Sequence, residues 1–176
     1  MSIPKKVTNY LDKSLIKYEV VPHRKIFTAH DLAQTLREDF RKIAKTLLVK
    51  ADKDYAIVVI PAHYNLDLKK LKTALKVKKV ELPKEEIMIK VFKVKLGGLT
   101  PFGALHKVET WVDKSFLKAE KMIVNAGSFT ESLRLKSKDF VKLEEAKLGS
   151  FVKPSGYKIQ KPKKAKTVKK TKKRKK

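Results

Sequence analysis

The sequence predicts an α/β (α+β) domain: several short strands in one sheet or barrel, with helices on its outside. Three observations carry that prediction. Short β-branched and apolar runs recur along the chain, alternating with segments of helical spacing. At 176 residues and 42% hydrophobic, the chain suffices for one core and one domain. A stiff turn, Leu96-Gly97-Gly98-Leu99-Thr100-Pro101-Phe102-Gly103, holds three of the six glycines and marks either a place where backbone comes close to a ligand or a tight loop between two strands.

In order, Val7, Tyr10, Leu11 and Leu15 fall at helical spacing and predict an amphipathic helix over 4–14. Tyr18-Glu19-Val20-Val21 predicts a strand ending at Pro22-His23. Thr28-Ala29-His30-Asp31 resembles a capping box and opens a helix to about Leu36. Ile43 to Val49 and Tyr55 to Ile60, joined across Ala51-Asp52-Lys53-Asp54, predict a hairpin. Asp67 caps a helix to Leu75, Lys78–Glu81 is a brief strand, and Lys84–Phe92 is a helix leading into the glycine turn. Beyond it, 108–112, 121–124 and 132–136 read as strands. Ser137 is expected to cap a last helix, 138–146.

Charge is extreme, at +26, and unevenly placed. Residues 151–176 hold thirteen Lys/Arg and no Asp/Glu, so half of the net charge sits there. The domain is therefore bounded at 1–150, followed by a low-complexity tail expected to be disordered. Lys163, Lys164, Lys169, Lys170, Lys172, Lys173 and Arg174 form its densest part. Such a block favours polyanions by counterion release, and equally reads as a solubilising tail or a localisation signal. Absence of cysteine excludes disulfides, thiolate metal sites and a cysteine nucleophile. With no apolar run of signal-peptide or membrane-spanning length, the expectation is a cytoplasmic protein with no membrane partner.

Candidate chemistry is sparse. Lys45 interrupts an apolar strand, so it either snorkels to the surface or points into a cleft where its ammonium meets an anion. His23 follows Pro22 at a strand end, a place suited to function and equally to a structural histidine. The four histidines show no metal-ligand spacing, Ser128 has no evident base, and Asp113 is positioned to cap a turn. Neither a P-loop nor G-x-G-x-x-G is present.

Lys45-Thr46-Leu47-Leu48-Val49, Leu66–Leu71, Lys78–Glu81, the glycine turn, Trp111-Val112-Asp113, Val124-Asn125-Ala126-Gly127, Leu133-Arg134-Leu135 and Asp139-Phe140 come in an order and spacing that resembles the YbaK/EbsC family, over about 15–145. That family contains trans-editing aminoacyl-tRNA deacylases and the editing domain inserted in bacterial-type prolyl-tRNA synthetases. The resemblance implies a barrel-like mixed sheet surrounded by helices. It also implies hydrolysis of a mischarged small amino acid from tRNA, with tRNA-Pro a candidate and no metal or organic cofactor. Lys45 would hold the terminal phosphate or ester, and the turn around Gly98 would present backbone to the aminoacyl end and a water. His23 would shape the amino-acid slot. Asp113, Asn125 and Gly127 would build its wall, with Thr28, Thr46, Pro101, Phe102 and Gly103 also substrate-binding. The implied partners are the tRNA acceptor end and an aminoacyl-tRNA synthetase. Lys90–Val94, where members often carry Thr-Gly-aromatic, and Asn125-Ala126-Gly127-Ser128 in place of Ser-Gly-Gly leave the amino acid open. The competing reading is a non-catalytic module binding tRNA 3′ ends or ribosomal RNA.

Overall fold

In the computed structural model, which describes residues 2–94 and 97–156, the sheet grows outward from a long hairpin. Strands β2 (Ala44–Ala51) and β3 (Asp54–Pro61) pair antiparallel from Ala44↔Pro61 to Ala51↔Asp54. Asp52 adopts φ 53° in the turn, and its carboxylate accepts the backbone N–H of Lys78 and Lys79 at 3.2 and 2.8 Å. That contact seats β5 (Val80–Glu81) on the free edge of β2. On the other side, β6 (Glu109–Asp113) and β9 (Lys147–Gly149) add in parallel, giving the order β5-β2-β3-β6-β9.

A second, antiparallel sheet has the order β1-β8-β7, formed by Tyr18–Pro22, Glu131–Lys136 and Lys121–Asn125 respectively. Residues 133 and 135 on β8 face the main core, whereas Ser132 and Arg134 face the other side. The core between the sheets contains Leu48, Ile57, Val59, Phe102, Phe116, Phe140 and Val7 and Leu11 of α1 (Lys5–Lys13). Burying each such side chain contributes about 1.5–3 kcal/mol. Helix α2 (Ala29–Leu36) starts where expected, with Thr28 Oγ1 accepting the Asp31 N–H at 3.0 Å. Helix α3 (Leu68–Leu75) is capped by Asp67, and α4 (Glu85–Phe92) begins with two glutamates at the positive end of its dipole.

Four expectations need correction. Among the described residues the barrel does not close: the two sheets meet at one parallel bridge, Ile43↔Ile123, and no continuous ladder joins them. Ser137 is not a cap. It is the first residue of α5 (Ser137–Leu143), buried, and its hydroxyl has no partner among the described residues. Three short strands escaped prediction: β9, β4 (Tyr64–Leu66) and β10 (Val152–Pro154). The last two pair, and Phe151 is fully buried, so the folded body runs past the expected boundary at residue 150 to at least Pro154. The tail lysines named above and Arg174 lie outside the described residues.

Candidate active site

Beside the first half of β2 lies a cavity of about 410 Å³. Its floor is apolar, with Ile26, Leu32, Ala44, Leu48 and Leu99. Phe27 and Leu82, 57% and 53% exposed, stand at its rim. Lys45 provides the sole charge among the described lining residues.

Lys45 is among the lining residues, with its side chain on the face of β2 opposite to that of Ala44 and Leu48, which pack in the main core. Its Nζ donates to Asn65 Oδ1 of β4 at 3.3 Å. Burial lowers its pKa from the ordinary lysine value, so an incoming oxygen would restore hydration that the fold has removed. His30 of α2 is a neighbour that the sequence alone did not single out. Burial first, then the charge of Lys45, holds its imidazole below the usual value. Next along β2 and on its other face, Thr46 Oγ1 is buried with no hydrogen-bond partner among the described residues, a donor and acceptor left available at the cavity wall.

The opposing strands supply a different wall. Asn125 ends β7 and pairs across the ladder with Ser132 of β8. Its side-chain orientation is fixed by its partners: Nδ2 donates to Gly97 O, and Oδ1 accepts the Gly127 N–H at 2.6 Å. Gly97 adopts φ 79°, and a Cβ there would lie 3.0 Å from Phe27 O, so the turn is pressed against the opposite rim. Ser132, which the sequence did not single out, accompanies His23: His23 Nε2 lies 2.9 Å from Ser132 Oγ and Nδ1 2.8 Å from Arg24 O.

Of the expected residues, Lys45, Thr46, Thr28 and Asn125 line this cavity together, and His23 reaches it through Ser132. The glycine on its wall is Gly97; Gly98 is half-buried and not among the lining residues. Gly127 serves the turn, with φ 82° and its N–H on Asn125. The others stand elsewhere. Phe102 is fully buried in the core, edge-on to Tyr10 and Phe140 at 6.0 and 5.8 Å. Pro101 is buried, its carbonyl accepting the Gly103 N–H at 3.1 Å. A Cβ on Gly103 would collide with Thr110 Oγ1 and Val108 O. Asp113, 2% exposed, has both oxygens engaged: Oδ1 accepts from Ser115 N and Oγ, and Oδ2 from the buried Phe151 N–H at 2.9 Å. Its place is a brace between β6 and the C-terminal segment.

A larger cavity, about 620 Å³, opens toward the other end of β2 among Tyr55, Trp111, Lys107 and Lys147, and contains none of the expected residues. Among the described residues there is no group of three or more His, Cys, Asp or Glu able to hold a metal ion, and no helix long and apolar enough to cross a membrane.

The prolyl-tRNA editing protein ProX of Acetoanaerobium sticklandii is 24% identical over 147 residues, covering 80% of this chain and 90% of that protein. A proline–tRNA ligase of Fervidobacterium nodosum is 32% identical over 94 residues, covering 53% of this chain but only 16% of the ligase. Among solved structures, hypothetical protein APE2540 superposes with a TM-score of 0.78 at 20% identity, covering 84% of this chain and 99% of that one, a likeness of fold. The aminoacyl-tRNA editing domain family matches residues 23–143, which include the whole cavity wall from Ile26 to Ser132, and the chain belongs to that family.

Proposed function

We propose that this protein hydrolyses the ester joining a small amino acid to the 3′ end of a tRNA, acting in trans. The observation that carries the reading is Lys45, a partly desolvated ammonium and the one charge among the described lining residues, in a cavity that also holds the unpartnered hydroxyl of Thr46. An aminoacyl ester is already activated, so its hydrolysis asks for positioning, a placed water and stabilisation of the developing oxyanion. Lys45 holds the ester or terminal phosphate, and Thr46 Oγ1 donates to the carbonyl oxygen as charge gathers there. Asn125 keeps the Gly97 turn against Phe27, which limits the length of side chain admitted. An apolar floor suits an apolar side chain, and a volume of about 410 Å³ has room for the aminoacyl group together with part of the nucleoside that bears it. The name of the ProX relative makes tRNA-Pro the first tRNA to test. Lysines of residues 157–176 would add sequence-independent affinity for the acceptor stem.

The test is a panel of tRNAs charged with small amino acids, incubated with wild type and with Lys45→Ala. Ester loss with wild type and at least a 100-fold slower loss with the variant is expected. Tight binding of uncharged tRNA without hydrolysis of any charged tRNA would replace the enzyme with an RNA-binding module.

A further inference from the structure

The polarity of the His23–Ser132 pair can be derived from its partners. Arg24 O has only lone pairs, so His23 Nδ1, 2.8 Å away, carries the proton of the neutral ring. Nε2 is then an acceptor, and the Ser132 hydroxyl, 2.9 Å away, must donate to it. Ser132 therefore turns its hydrogen outward to His23 and presents only oxygen lone pairs to the cavity it lines. Asn125, its cross-strand partner, is similar: Oδ1 has one lone pair on Gly127 N and a second remaining. The wall formed by β7 and β8 is thus rich in neutral acceptors, while no carboxylate is among the described lining residues.

We infer that Ser132, held as an acceptor by His23, receives the α-ammonium of the aminoacyl group, so that the site takes esters with a free α-amine and rejects N-acylated ones. This inference rests on the deacylase reading. The absence of a carboxylate is what makes it workable. An anionic anchor would pair with Lys45, the one cation among the described lining residues, and close the cavity, whereas neutral oxygens on a different wall leave Lys45 to the ester. An N-acetyl group removes the charge, turns the nitrogen into an amide donor with a bulky substituent, and sets that bulk against Ser132 and Asn125. Ser132 is a specificity-determining contact, and His23 is a positioning residue that acts through it.

The experiment compares one aminoacyl-tRNA that wild type hydrolyses with its N-acetylated form. Full-length wild type, Ser132→Ala, Ser132→Thr, His23→Leu and His23→Gln are assayed on both. Wild type is expected to favour the free amine by about 10–100-fold in kcat/KM, the worth of one charge-assisted hydrogen bond. Ser132→Ala and His23→Leu should lose that preference through a higher KM for the free amine, and Ser132→Ala, which removes the oxygen that the acetyl group meets, should hydrolyse the N-acetyl ester no more slowly than wild type. Ser132→Thr, which keeps the hydroxyl, and His23→Gln, which keeps an acceptor for it, should restore the preference. Equal hydrolysis of both esters by wild type overturns the inference and leaves the deacylase reading intact. So does an acyl group found on Ser132 by intact mass after an acid quench, since that oxygen would then be a nucleophile. Hydrolysis of no charged tRNA at all removes the reading and the inference together.

Discussion

Replacing Asp113 separates a brace from a substrate contact. In Asp113→Ala the buried Phe151 N–H is left without its acceptor, and Ser115 gives up two hydrogen bonds to the same carboxylate. An unsatisfied buried donor costs about 1–3 kcal/mol, and bonds to a charged group are the stronger kind. Ser115 is half-buried, so water replaces part of what it gives up. Phe151 N–H has no such substitute beside a fully buried ring. The expected destabilisation is about 2–5 kcal/mol, a fall in Tm of roughly 5–15 °C for a domain of this size. Thermal and urea unfolding measure it, and Asp113→Asn should fall between wild type and Ala because one oxygen acceptor remains. Ester hydrolysis assayed well below the lowered Tm should keep a kcat/KM within about threefold of wild type. A variant of unchanged Tm that has lost hydrolysis would refute this reasoning and return Asp113 to the pocket wall.

Gly103→Ala, by pressing a methyl against Val108 O and Thr110 Oγ1, should cost about 1–3 kcal/mol in urea unfolding without altering ester selectivity. Burial is the leading cause that holds His30, His63 and His106 below the ordinary imidazole value of 6.5. The unfolded chain therefore binds more protons as pH falls through 6.5, and stability is lost on acidification. Tm should drop between pH 7.5 and 5.5, less so in His106→Phe. Glu144 works against this trend, because burial raises its pKa and its protonation favours the folded state at the acid end. Truncation after Gly156 preserves the β10–β4 ladder and removes twelve basic residues. It should weaken tRNA binding and flatten the dependence of log K on log salt by about 0.7–0.9 for each phosphate that the shortened chain no longer neutralises.

Lys45 was legible in the sequence because a charge inside an apolar strand is anomalous wherever that strand lies. The hairpin, the Thr28 and Asp67 caps and the helix before the glycine turn were legible because each depends on neighbours in sequence. Ser132 was not. Its partner is 109 residues away, and only the pairing of β1 with β8 brings Val21 and then His23 alongside it. The resemblance carried motif order but not the direction in which each residue faces. Hence Pro101, Phe102, Gly103 and Asp113, expected around substrate, stand in the core or brace it. The last strands were hidden by composition: three-residue segments next to a lysine run carry too little periodicity to register.

The C-terminal strand also sets where the lysine-rich sequence begins. Lys153 lies opposite Asn65 in the β10–β4 ladder, Asn65 Oδ1 takes the Lys45 ammonium, and Ser155 Oγ donates to His63 O at 2.7 Å. The lysine-rich sequence is thus tied to the body at the strand pair that touches Lys45. On the deacylase reading, a tRNA held by those lysines would be tethered next to the strand pair that carries Asn65. Tethering of that kind sets a local concentration on the order of millimolar once the tRNA is held. Affinity for the polyanion would then become occupancy at Lys45.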